Sequence, residues 1–121
     1  MSINGHLLIK LPSINYGSPI KEATKLINAK DTDTLVVLKN KRPVGILSSY
    51  DVLERLSGRE GRESNSLETI MNRNFLVFET EISVEEAQDL MLSHKHWLAV
   101  VTEQGEYRGV ITTRKLLKQL N

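Results

Sequence analysis

The sequence predicts an α/β protein made of two tandem β-α-β-β-α repeats packed with pseudo-twofold symmetry. Three observations carry that expectation. Residues 19–56 can be laid on residues 83–120 without a gap, and eight of the 38 pairs are identical, including Ala23/Ala87, Val36/Val100, Val37/Val101 and Gly45/Gly109. Average composition would give roughly two or three identities. Within each copy, apolar runs of strand length alternate with apolar residues at helical spacing. A unit of that size cannot cover both faces of its own sheet, so two copies are expected to pack together.

The elements follow in order. Leu7–Leu8–Ile9 and Leu11 to Ile14 are extended in character, and Pro12 marks the second as an edge or irregular strand because it lacks a donor. Ser18–Pro19 is expected to start a helix, as N-cap and first helical residue. Ile20, Ala23, Leu26 and Ile27 recur at helical spacing, with Lys21, Glu22 and Lys25 on the wet side. Leu35 to Leu38 and Val44 to Leu47 form a hairpin around Asn40 to Pro43. Ser48 or Ser49 then caps a helix with Val52, Leu53 and Leu56 on one face. Ser66 to Met71 reads as a short helix, Phe75 to Phe78 as a strand, and Ser83 with Glu86 as a capping box opening the next helix. Leu98 to Val101 and Val110–Ile111 make the second hairpin, and Leu116, Leu117 and Leu120 mark the last helix. The expected organisation is repeat 1 over 1–57, a linker rich in Gly, Arg and Glu over 58–66, and repeat 2 over 67–121.

Composition excludes several classes. The 121 residues are 40% hydrophobic and 26% charged, which is globular. Sixteen basic against 15 acidic residues give no polyanion-binding surface, so nucleic acid is not an expected partner. Cysteine is absent, which removes disulfides, thiolate metal sites and cysteine nucleophiles. No apolar run approaches the ~20 residues needed to span a bilayer, and Met1 to His6 is not a signal peptide. A cytoplasmic protein without membrane partners is expected. No P-loop, GxSxG or HExxH pattern occurs, so an enzyme is not expected. His94 and His96 have no local carboxylate or thiolate beside them, so no metal site is expected either. Trp97 reads as a partly buried aromatic at a strand start, or else as part of a dimer or partner surface.

The repeated core is Gly45-Ile46-Leu47-Ser48-Ser49-Tyr50-Asp51, returning as Gly109-Val110-Ile111-Thr112-Thr113-Arg114-Lys115. The first copy is a strand, a glycine, two apolar residues, a hydroxyl, two variable residues and an acid. With the Ile70 to Phe78 segment, it resembles a tandem pair of cystathionine-β-synthase-type (CBS) domains, a Bateman module. The chain departs from that family in carrying Leu35 and Ala99 where proline is common, and Lys115 in place of the second acid.

The resemblance implies a regulatory module that senses an adenosine-containing ligand (AMP, ADP, ATP or S-adenosylmethionine) in the cleft between repeats, as a regulatory ligand and not as a resident cofactor. On that reading Asp51 accepts the ribose hydroxyls, and Ser48 and Ser49 meet ribose or phosphate at a helix start. Leu11 to Ile14, with Pro12 and Ile14, and Thr32 to Leu35, with Thr32 and Thr34, flank the adenine. Thr112 and Arg114 complete the candidate set from the second repeat, and Arg108 is a further candidate for phosphate. Lys115 cannot accept hydrogen bonds from ribose, so at most one well-formed nucleoside site per chain is expected. The resemblance also implies a homodimer. The alternative is a structural or interaction module, without ligand, that mediates dimerisation or partner binding.

Overall fold

The computed structural model describes residues 1–3, 5–58 and 66–120. Each half of the chain is a β-α-β-β-α unit built on its own three-stranded sheet. In the first, β1 (Ser13–Asn15) runs parallel to β2 (Thr34–Lys39), which pairs antiparallel with β3 (Arg42–Ser48). Helices α1 (Ile20–Lys30) and α2 (Ser49–Leu56) complete it. In the second, β4 (Leu76–Glu79) runs parallel to β5 (Leu98–Glu103), which pairs antiparallel with β6 (Glu106–Thr112), accompanied by α3 (Val84–His94) and α4 (Thr113–Leu117). The registers are equivalent: Thr34 faces Ser48 as Leu98 faces Thr112, and a bulge follows Val37 as another follows Val101.

The central strands β2 and β5 are apolar almost throughout because both of their faces are covered. Leu35, Val37 and Leu47 join Ile20, Ala23 and Val52 in the first core. Ala99, Val101 and Ile111 join Ala87, Met91 and Leu116 in the second. A fully buried aliphatic side chain contributes about 1.5–3 kcal/mol, so these clusters hold the units together.

The compact units do not follow the repeat boundaries of the sequence. One comprises residues 11–74 and the other residues 1–10 with 75–121. The reason lies at the sheet edges. Asn72 bridges the free edge of β3, with Ile46 N–H to Asn72 O at 2.9 Å and Asn72 N–H to Ile46 O at 2.7 Å. Ile9 bridges the free edge of β6 in the same way, through two bonds of 2.8 Å with Val110. Each bridge crosses a glycine. A Cβ at Gly45 would stand 2.6 Å from Met71 Sδ, and one at Gly109 would stand 3.0 Å from the Ile9 carbonyl.

Several local expectations change. Gly5–Leu7 is a 3-10 turn and not a strand, and of the Leu7 to Ile9 run only Ile9 pairs with a strand. The N-cap of α1 is Pro19, whose extended backbone (ψ 158°) keeps it outside the helix; Ser18 makes no cap bond. Strand β1 starts only after Pro12, whose carbonyl still accepts from Val36 N–H at 3.1 Å. The helix expected over Ser66 to Met71 shrinks to a 3-10 turn at Leu67–Thr69, because Thr69 Oγ1 folds back to the Ser66 carbonyl. Trp97 is 65% exposed, not partly buried. Of the linker expected over 58–66, residues 59–65 lie outside the described residues.

Candidate functional site

Topology gathers most of the expected site residues of the first repeat at one edge of its sheet. β1 and β2 are parallel and begin there; β3 is antiparallel and ends there, handing the chain to α2. Pro12, Thr32, Thr34, Ser48, Ser49 and Asp51 therefore share that edge. Ile14 does not. It pairs level with Val37, packs against the core of its unit and lines a hollow with Ser18, Glu22 and Leu26 of the α1 segment.

Ser48 and Asp51 form a reciprocal capping box. Ser48 Oγ accepts from Asp51 N–H at 3.1 Å and donates to Asp51 Oδ2 at 2.8 Å, while Ser48 N–H reaches the same oxygen at 3.3 Å. The sequence left Ser48 and Ser49 both open as the cap; the Ser-x-x-Asp spacing is the signal that selects Ser48. Its chemical consequence is a division of labour within one carboxylate. Oδ2 is held by the cap, and Oδ1 carries no hydrogen bond among the described residues. A carboxylate offers about four acceptor positions, so the half-buried Asp51 is held in one rotamer with capacity for two hydroxyl donors. Ser48 Oγ both donates and accepts within the box, which leaves it little for a ligand.

Ser49 is also engaged. Its N–H donates to the Asp33 carbonyl and its Oγ–H to Asp33 Oδ1, both at 2.9 Å. Asp33 thus ties the start of α2 to the lead-in of β2. It lies within the candidate Thr32 to Leu35 segment, but the sequence did not single it out, because the bond joins residues 16 apart and follows no local pattern. Thr32 Oγ1 accepts from Thr34 N–H at 3.3 Å and donates to the Thr34 carbonyl at 3.1 Å, shaping the turn into β2.

The second repeat keeps this frame without the acid. Thr112 Oγ1 accepts from Lys115 N–H at 3.3 Å, but Lys115 has no acceptor to return the bond. Thr113 N–H donates to the Trp97 carbonyl at 2.9 Å, the backbone half of the Asp33–Ser49 clasp. Arg114 is exposed on the first turn of α4. Arg108 is drawn into a surface ion pair, Nε to Glu103 Oε1 at 2.8 Å. His94 turns back on its own helix, with Nδ1 3.0 Å from the Leu90 carbonyl.

The CBS domain pattern matches this chain twice, over residues 8–58 and 67–121. The chain belongs to the CBS domain family. The two matches are the two β-α-β-β-α units; in the first, Gly45 lies within β3, Ser48 ends it and Asp51 is on the first turn of α2. Solved structures carry the same CBS-pair fold. A CBS domain-containing protein of unknown function from Bacillus anthracis aligns with a TM-score of 0.79 and 22% identity, over 95% of this chain and 89% of that one. OpuCA of Staphylococcus aureus aligns with 0.79 and 19%, over 96% and 97%. The cytosolic domain of the Mg2+ channel MgtE, solved in complex with ATP, aligns with 0.78 and 21%, over 98% of this chain and 48% of that one. At these identities the likeness is one of fold. Among the described residues, no helix is long and apolar enough to cross a membrane.

Proposed function

We propose that this CBS pair is a regulatory module that binds an adenosine-containing ligand, AMP, ADP, ATP or S-adenosylmethionine, with Asp51 as the ribose anchor. The observation that carries the reading is the half-committed carboxylate: Ser48 holds Oδ2 and leaves Oδ1 for a vicinal diol. The positive end of the α2 dipole lies beside it and favours a phosphate or carboxylate, although the Ser49 and Asp51 N–H groups of that turn are already engaged. The ATP complex of the MgtE cytosolic domain, a structure of like fold, supports the ligand class. The ligand is regulatory and not a resident cofactor, the module is not itself an enzyme, and it acts in the cytoplasm as a homodimer, away from membranes and nucleic acid.

The test is a thermal-shift panel of AMP, ADP, ATP, S-adenosylmethionine and their 2′-deoxy counterparts, with wild type and Asp51→Asn. Stabilisation of wild type by at least one ribose ligand, lost with the deoxy analogue and with Asp51→Asn, is the expected result. Equal stabilisation by ribose and deoxyribose ligands would sink the anchor assignment.

A second reading has its own support. The capping box already gives Asp51 a structural task, and α2 and α4 both present apolar side chains to solvent. On that reading the chain is an interaction module whose occupant is a second copy of itself. No response to any ligand in the panel, together with a mass above that of one chain, would favour it.

A further inference from the structure

The sheet edge that holds Asp51 is acidic. Three carboxylates belong to it: Asp31 at the C-cap of α1, Asp33 in the lead-in to β2, and Asp51 on the first turn of α2. Lys30, the last residue of α1, is the cation of these stretches. None of the three acids is in an ion pair among the described residues. The equivalent stretches of the second repeat carry the opposite charge. At the offset of 64 residues, Asp31 becomes Lys95, Asp33 becomes Trp97, Tyr50 becomes Arg114 and Asp51 becomes Lys115. Yet the frame is the same: Thr113 N–H donates to the Trp97 carbonyl as Ser49 N–H does to that of Asp33, and Thr112 caps α4 as Ser48 caps α2. The fold is built once with acids and once with bases, so it requires neither charge.

The same edge offers a phosphate little within its own unit. The Ser49 and Asp51 N–H groups of the first turn of α2 are engaged by the Asp33 carbonyl and by Ser48 Oγ. The positive end of a helix dipole amounts to about half a charge, and it stands against three carboxylates. The other cations of the unit are taken up elsewhere. Lys25 pairs with Glu22, Arg73 pairs with Glu68, and Arg55 reaches the Thr69 carbonyl. Lys41 and Arg42 belong to the β2–β3 turn, at the opposite end of the strands from the Thr34–Ser48 pair.

Given the adenosine reading above, on which this rests, we infer that the Asp51 edge selects its ligand by charge. It takes an adenosine ligand whose 5′ substituent is neutral or cationic, a nucleoside or a sulfonium nucleoside, in preference to a nucleotide. Asp51 anchors the ribose, and Asp33 sets the selectivity without anchoring anything. Ser49 Oγ–H holds Asp33 Oδ1 at 2.9 Å, which fixes that negative charge beside the start of α2. A carboxylate repels a phosphate and attracts a sulfonium or ammonium group at the same place, and both effects grow where water is partly excluded.

Isothermal titration calorimetry of the full chain, at low salt and with EDTA, tests this with two matched pairs of ligands. Adenosine and AMP differ by a phosphate. S-adenosylmethionine and S-adenosylhomocysteine differ by a methyl group and the positive charge it places on sulfur. Adenosine is expected to bind about tenfold tighter than AMP, and S-adenosylmethionine about threefold tighter than S-adenosylhomocysteine. Both gaps shrink at high salt, because the edge is open to solvent. Asp33→Asn keeps an acceptor for Ser49 and removes the charge, so it narrows both gaps by about threefold and leaves the adenosine affinity unchanged. Equal loss of affinity for all four ligands in that variant makes Asp33 structural and overturns its assignment. AMP binding as tightly as adenosine, or gaps that ignore salt, overturns the selectivity and leaves the Asp51 anchor standing. No binding of any of the four overturns the anchor and the selectivity together.

Discussion

Replacing Asp51 by alanine removes two things that separate cleanly in one assay. Without ligand, the variant loses the acid half of the Ser48–Asp51 box, which held Ser48 N–H and Oγ. Loss of a capping interaction costs about 0.5–1 kcal/mol. Unfolding entropy near 2.1 cal/mol/K per residue makes 1 kcal/mol about 4 °C for a chain of this length, so the ligand-free Tm falls about 2–4 °C. With ligand at 100 times its Kd, wild type gains about 2.7 kcal/mol, or roughly 10 °C. Two hydrogen bonds to a charged acceptor are worth about 1.5–3 kcal/mol each. Losing them weakens binding by at least about a hundredfold and leaves the variant about 0.4 kcal/mol, or roughly 2 °C, at the same ligand concentration. Ser48→Ala is the control: it loses a similar cap energy but retains the Asp51 carboxylate, so most of the ligand shift persists. Differential scanning fluorimetry of the three proteins with and without ligand reads all six values. A full ligand shift in Asp51→Ala refutes the anchor role, and an unchanged ligand-free Tm refutes the cap.

Three further outcomes are expected. Lys115→Asp restores an acid at the third helical position of α4, where Thr112 already caps, and stabilises the protein by about 0.5 kcal/mol in urea denaturation; destabilisation contradicts the equivalence of the two helix starts. Gly45→Ala forces Met71 aside and costs about 1–3 kcal/mol, and the cost shrinks in a Met71→Ala background, whereas Gly109→Ala, which meets the Ile9 backbone, shows no such coupling to Met71 in a double-mutant cycle. Glu79→Ala frees the buried Thr102 hydroxyl and the Gln104 and Gly105 amides of the β5–β6 turn, so chemical denaturation should show a loss of about 1–2 kcal/mol; an unchanged midpoint would mean that the turn holds itself.

What was legible in the sequence is what short-range physics writes there. Apolar runs at Leu35 to Leu38 and Leu98 to Val101 report strands covered on both faces. The spacing of Ile20, Ala23 and Ile27 reports one buried helix face. The Ser48–Ser49 pair marks the start of α2 to within one residue, and Leu116, Leu117 and Leu120 mark the last helix. The gapless repeat then shows that the two halves share one architecture, since equivalent residues face equivalent environments.

Tertiary structure alone decided which segment closes each sheet edge and how the helix start beside Asp51 is braced. Ile9 pairs with Val110 across 101 positions, Asn72 with Ile46 across 26, and Asp33 with Ser49 across 16. A single hydrogen-bonded bridge has no period and little residue preference, because backbone donors and acceptors are the same at every position. The apolar pattern determined that two equivalent sheets would form. Only the packed chain decided that Gly109 makes room for Ile9, Gly45 for Met71 beside Asn72, and that Ser48 engages one oxygen of Asp51 and, among the described residues, leaves the other without a hydrogen bond.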